Sequence, residues 1–179
     1  RVLDNLRPAF PICARVIPGT REMLMIAQPR SYGPTAVYRV ALEGDRAAGA
    51  PVKLIDTPGE GTAYDIAFHP CWRENGFVFF GWNGKLPGKE GKHSAITRHT
   101  MSTKPPYTID PASATTIIDW PSDGHNGAAV CFGKDGLMFV TSGDGTSDSD
   151  GNLMGQRTDS LLAKVLRIDV DKPESGKAY

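Results

Sequence analysis

The stretch Ala128-Ala-Val-Cys-Phe132, Gly133-Lys-Asp-Gly136, Leu137-Met-Phe-Val140 decides the fold. Two apolar runs flank a short turn rich in Gly and charged residues. Runs of this length are too short for helices and read as the paired, buried strands of a hairpin. The plan recurs twice upstream. Ile12-Cys-Ala-Arg-Val-Ile17 and Met23-Leu-Met-Ile-Ala27 flank Pro18-Gly-Thr-Arg-Glu22. Ala63-Tyr-Asp-Ile-Ala-Phe68 and Phe77-Val-Phe-Phe80 flank a turn over 69–76.

A third run follows each hairpin, with Arg set between apolar or β-prone neighbours: Val37-Tyr-Arg39-Val40, Ile96-Thr-Arg98-His99 and Val165-Leu-Arg167-Ile168. Pro51-Val-Lys-Leu-Ile-Asp56 and Thr115-Thr-Ile-Ile-Asp-Trp120 are candidate fourth strands. Three- or four-stranded antiparallel units repeated in this way fit an all-β propeller, with blades at 12–56, 63–120 and 128–179. A β-sandwich is the alternative, but it has no reason to repeat the arginine strand. The three arginines are expected at equivalent places, with stems along the sheet and heads on polar groups. About three blades do not close a ring, so the chain reads as the N-terminal part of a larger propeller without its C-terminal half. Apolar side chains are then expected on the flank of the next blade, with 1–11 and 173–179 reaching beyond the sheets.

Composition agrees with a folded β domain. The chain has 179 residues, 40% apolar and 22% charged, with 20 Gly and 14 Pro to make turns. Twenty basic and twenty acidic residues cancel, which argues against a chain-wide basic surface for nucleic acid. No apolar run approaches the ~20 residues of a membrane helix. Cys13, Cys71 and Cys131 are far apart, without metal-binding spacing, and Cys131, inside a strand pattern, reads as a small buried hydrophobe. Trp72, Trp82 and Trp120 read as packing residues between blades.

Polar chemistry concentrates between Asp123 and Asp150. His125 stands just before the first strand of the third hairpin and Asp144 just after its second. Antiparallel pairing brings those ends together at one rim. A carboxylate beside an imidazole fixes its tautomer and raises its basicity, which suits a general base; it equally suits a pair that pins a loop. Asp144-Gly-Thr-Ser-Asp-Ser-Asp-Gly151 invites a calcium-loop reading, but position twelve is Gly155 instead of Glu, and a solvated Asx and Ser turn network is favoured. Glu60 could reach the same rim. His69, His93 and His99 show no partner at catalytic spacing and read as surface or turn residues. Lys85, Lys89 and Lys92, with Arg98, read as a solvated loop.

Four stretches carry a family resemblance. They are Tyr64-Asp-Ile-Ala-Phe-His-Pro70 with Glu74-Asn-Gly-Phe-Val-Phe79; Asp123-Gly-His-Asn-Gly127; Phe132 through Ser142-Gly-Asp-Gly145; and Gln156 through Ser160-Leu-Leu-Ala-Lys-Val-Leu-Arg-Ile-Asp-Val-Asp171. In this order they resemble the glucose/sorbosone dehydrogenases, soluble aldose sugar dehydrogenases whose fold is a six-bladed propeller holding pyrroloquinoline quinone (PQQ).

The resemblance implies an enzyme oxidising a sugar or related alcohol by hydride transfer to PQQ. His125 is implied as general base on the sugar hydroxyl, with Asp144 orienting it. Glu60 and Asn126 are implied as cofactor contacts. A calcium ion, an electron acceptor such as a cytochrome c, and a periplasmic or secreted location follow from the same resemblance. The calcium ligands and the family's catalytic arginine are expected outside this chain, so this stretch alone is expected to be inactive. Two departures stand out: Ala128 replaces the second Gly of His-Asn-Gly-Gly, and Asp65 replaces the Gly of a Leu-Leu-Gly string. A non-catalytic binding module of the same family, or a structural part of a multidomain protein, remain alternatives.

Overall fold

The computed structural model describes residues 3–7, 10–30, 33–146 and 148–172. Among these residues twelve strands form three antiparallel sheets in chain order. Sheet one holds β1 (Phe10–Val16), β2 (Glu22–Gln28), β3 (Ala36–Glu43), the two-residue β4 (Arg46–Ala47) and β5 (Val52–Asp56). Sheet two is β6 (Thr62–Phe68), β7 (Phe77–Gly84), β8 (His93–Met101) and β9 (Ile109–Pro121). Sheet three is β10 (Gly127–Phe132), β11 (Met138–Ser142) and β12 (Val165–Ile168). The expected hairpins are β1–β2, β6–β7 and β10–β11, and the second turn includes a single helical turn, α1 (Trp72–Asn75).

The sheets pack face to face. Along β7, Val78, Phe80 and Trp82 join the cluster shared with Leu24, Ile26 and Val37 of sheet one. Phe79, between them, joins Val130, Met138 and Val140 of sheet three. Successive side chains point to opposite faces, so a strand buried on both sides reads as one continuous apolar run. Trp72, Trp82 and Trp120 are each at most 2% exposed, in keeping with packing roles. The first strands lie side by side: β6 touches β1 on one flank and β10 on the other. Gly81 sits where the Ala128 carbonyl of β10 comes closest, and a side chain there would collide with it.

The repeated arginines occupy the third strand of each sheet, opposite Leu24, Phe79 and Phe139 respectively. Arg39 pairs with Glu22 at 3.3 Å and Arg167 with Asp135 at 2.9 Å. Arg98 departs from the expectation of a polar partner: its guanidinium lies over the Phe77 ring, 4.3 Å from the centroid.

Several expectations are corrected. Cys131 is exposed, because it lies on the face of sheet three opposite the one bearing Val130, and no described element covers that face. Exposed Leu161 and Val165 stand on the same sheet and the loop before it, the flank where apolar exposure was expected. Residue 11 does not reach beyond the packed sheets, since β1 begins at Phe10 and Pro11 pairs with Ala27; 173–179 lies outside the described residues. His69, His93 and His99 are buried, at 4%, 6% and 4% exposure. Among the described residues no helix is long and apolar enough to cross a membrane.

Candidate functional site

The rim where β6 and β10 begin carries the polar chemistry. The loop after β9 delivers His125 in the left-handed backbone region, φ 43°, two residues before β10. The 143–144 turn continues from β11, and the hairpin pairs Gly127 with Ser142. Gly143 is required there, since a side chain would run into the His125 carbonyl. His125 Nδ1 lies 3.2 Å from both Asp144 carboxylate oxygens. Asp144 also accepts bonds from the Thr146 hydroxyl at 2.7 Å and the Thr146 N–H at 2.8 Å. Those bonds, first the hydroxyl and then the N–H, with a smaller share from His125, hold its carboxyl below the usual carboxylate range. An ionised carboxylate only accepts, so Nδ1 must carry the proton. In the neutral ring this turns the Nε2 lone pair outward, without a partner among the described residues, on a side chain 43% exposed.

The remaining rim is a buried polar web. Asn83, at the end of β7, donates to the Ser122 carbonyl at 3.0 Å and the Ser94 hydroxyl at 3.2 Å. Ser94 donates to the Asn126 carbonyl at 3.1 Å, and Ser122 to the Asn126 side-chain oxygen at 2.8 Å. The Asn126 amide group donates to the Tyr64 hydroxyl at 2.8 Å. Asn126 is thereby committed to protein partners at both ends of its side chain.

Glu60 ends a 3-10 turn (Pro58–Glu60) with φ 54°. It makes no contact with the His125–Asp144 pair. Instead it lines a cleft of about 610 Å³ with Arg30, Asn83, Lys85 and Lys92. Lys92 reaches toward Asp123, 3.7 Å away, so cleft and histidine loop share the rim. Lys89 is 3.5 Å from Asp119, so the lysine loop is partly pinned by ion pairs instead of wholly solvated.

The acidic run after Asp144 closes on itself. Asp150 accepts the backbone N–H groups of Met154 and Gly155, the Asx-type network favoured from sequence. Among the described residues no group of three or more His, Cys, Asp or Glu side chains is placed to hold a metal.

Two further histidines meet carboxylates, correcting the partnerless reading. His93 Nδ1 is 2.8 Å from Asp119, and His69 Nε2 is 3.1 Å from Asp171. His69 Nδ1 accepts the Cys71 N–H while the ring packs against Phe77 and Phe132. Asp119, 26 residues on, faces His93 across the antiparallel β8–β9 pair, where His93 stands opposite Pro121; Asp171 is distant in sequence and no hairpin spacing announces it. Asp65 was also missed as a contact residue. One oxygen accepts from Arg15 at 2.8 Å and the Cys13 thiol at 3.3 Å, the other from the Val130 N–H at 3.0 Å. A charge in the middle of an apolar strand was the available signal.

Known proteins resemble this chain in sequence and in fold. The family model described as Glucose / Sorbosone dehydrogenase matches residues 30–175. The HIPL2 protein of Arabidopsis thaliana is 27% identical over 141 residues, covering 59% of this chain and 20% of that protein. The Hedgehog-interacting protein of Mus musculus is 29% identical over 112 residues, covering 59% and 16%. Among solved structures, the PQQ-bound aldose sugar dehydrogenase from Streptomyces coelicolor superposes with TM-score 0.69 at 22% identity, over all of this chain and 50% of that one. The apo soluble aldose sugar dehydrogenase from Escherichia coli gives TM-score 0.67 at 16% identity, over 94% and 48%. The chain spans at most 20% of those two curated relatives and about half of the solved structures. The likeness to the solved structures shows the shared propeller-type all-β fold. With the family model matching most of its length, the chain belongs to the glucose/sorbosone dehydrogenase family.

Proposed function

We propose that this chain forms the histidine-bearing part of a PQQ-dependent dehydrogenase acting on an aldose or related alcohol. The observation that carries the reading is the His125–Asp144 pair, with Nδ1 turned to the carboxylate and Nε2 left open at the rim. Nε2 takes the proton of the substrate hydroxyl, and Asp144 balances the imidazolium that results. Bound PQQ supplies the two-electron acceptor for the alcohol carbon. Arg30, Lys85 and Lys92 beside the rim suit its carboxylates, and Glu60 lies among them as the polar contact. Asn126 is assigned to holding the histidine loop, since its side chain is already bonded. Calcium, a cytochrome c acceptor and a periplasmic or secreted location belong to the same proposal through the family. In this reading the chain contributes three blades, 12–56, 63–120 and 128–179.

His125→Ala is expected to cut turnover about 10²–10⁴-fold, the usual worth of a positioned base, while PQQ binding is retained. Turnover within about twofold of the unsubstituted protein removes His125 as the base. A second reading is favoured by one observation, the match to a protein named for interacting with Hedgehog: a propeller that presents its rim loops to a protein partner. It predicts no quinone-dependent oxidation and partner binding indifferent to His125→Ala.

A further inference from the structure

We propose that Asn83 is a positioning residue for His125, acting through buried Ser94 and Ser122 on the 122–127 loop. This rests on the reading of His125 as the base. His125 sits at φ 43° and Gly127 at φ 71°, a loop shape that costs energy at the non-glycine position and persists only when its surroundings impose it. Asn83, Ser94 and Ser122 are 7%, 0% and 3% exposed, and all three are bonded to the loop or to each other.

Apolar side chains could fill the same space without the cost of burying polar groups. What polar groups add is direction. Asn83 holds the Ser122 carbonyl at the start of the loop, Ser94 holds the Asn126 carbonyl at its end, and His125 lies between. The anchor stands on sheet two and the histidine on the way into sheet three, so one sheet sets the aim of a side chain serving the other. Asn83 also borders the cleft that contains Glu60, which joins the wall of that cleft to the orientation of the imidazole.

The test uses Asn83→Asp, which keeps the size, removes both N–H donors and sets a carboxylate against the Ser122 carbonyl. Ser94→Ala is the milder companion and leaves the Asn83–Ser122 bond in place. The readout is the ring ¹⁵N spectrum of His125, which distinguishes the Nδ1–H tautomer from the mixture of an unrestrained imidazole. The unsubstituted protein is expected to show Nδ1–H, and both variants, folded by their amide spectra, an averaged ring. In the active protein kcat is expected to fall up to about 10²-fold for Asn83→Asp with KM little changed, as misplacement of a reacting group does. A folded variant with lower stability but an unchanged His125 ring overturns the proposal, because that is what mere scaffolding produces. The ring readout needs no turnover. If His125→Ala leaves turnover intact while Asn83→Asp still releases the ring, the base reading fails and the positioning role stands.

Discussion

Sheet two is covered on both faces; sheet three is covered on one. In β7 every residue after Phe77 is buried, whereas β10 alternates buried Ala128 and Val130 with exposed Ala129 and Cys131. The two strands look alike as sequence, apolar runs between turns, and differ only in what stands beside them. Period-two alternation tells which side chains share a face. It does not tell whether that face has a neighbour.

The contrast is broken most strongly by emptying the doubly covered sheet. Phe79→Ala, at a fully buried site, is expected to cost about 3–5 kcal/mol, and Val165→Ala on the open side of sheet three less than about 0.5 kcal/mol. Denaturant midpoints of the two variants make the comparison, and equal losses would mean that sheet three is covered after all. Gly81→Ala follows, at about 1–3 kcal/mol, because the new methyl meets the Ala128 backbone and pushes sheets two and three apart. Gly136→Ala, with open space around it but φ 82°, is the control for backbone strain alone.

A smaller effect depends on pH. Burial holds the His99 imidazole below its usual value, with an opposing contribution from Asp110. The unfolded chain takes up a proton near pH 6.5 and the folded chain only lower. This residue therefore lowers stability as pH falls below about 6.5, by at most about 1.4 kcal/mol per pH unit, until the folded value is reached. His99→Leu, which also removes a buried Nδ1 with no partner, is expected to flatten that slope in denaturation curves at pH 7 and pH 5. An unchanged slope would show that His99 is not held neutral.

The mildest test leaves the fold untouched. Cys131 faces the open side of sheet three, while Cys13 is raised to about 11 by burial and by its bond to Asp65. At pH 8 Cys13 holds about a hundredfold less thiolate than an ordinary cysteine, so a thiol reagent is expected to label Cys71 and Cys131 first. Mass spectrometry of a labelling time course orders them.

Much of the fold was legible because its signals are local. Tight turns, apolar runs and the arginine on each third strand all lie within one hairpin and its successor. The approach of His125 to Asp144 was legible for the same reason, as the two ends of one hairpin. His93–Asp119 also spans two consecutive antiparallel strands, β8 and β9, and was missed because a long loop and a register shift lie between them; His69–Asp171 joins different sheets through packing, which no spacing rule reports. The web around Asn83 was illegible too: Asn, Ser and Tyr are unremarkable residues in a turn-rich chain, and their meaning appears only when the ends of β6, β7 and β8 meet the 122–127 loop at one rim. For Glu60 the sequence indicated a rim but no neighbours; that Arg30, Lys85 and Lys92 surround it follows from the 3-10 turn facing the lysine loop.

Asp65 makes two strands answer to one side chain. Its Oδ1 faces Arg15 on β1 and its Oδ2 faces the Val130 N–H on β10, three residues past the loop's end at Gly127. A carboxylate is planar and turns as a unit. The carboxylate is thus a clasp between the first sheet and the strand that follows His125, added to the packing that already sets β6 against β1 and β10. Asp65→Gly is expected to undo the clasp and leave that packing to hold the three inner strands by itself.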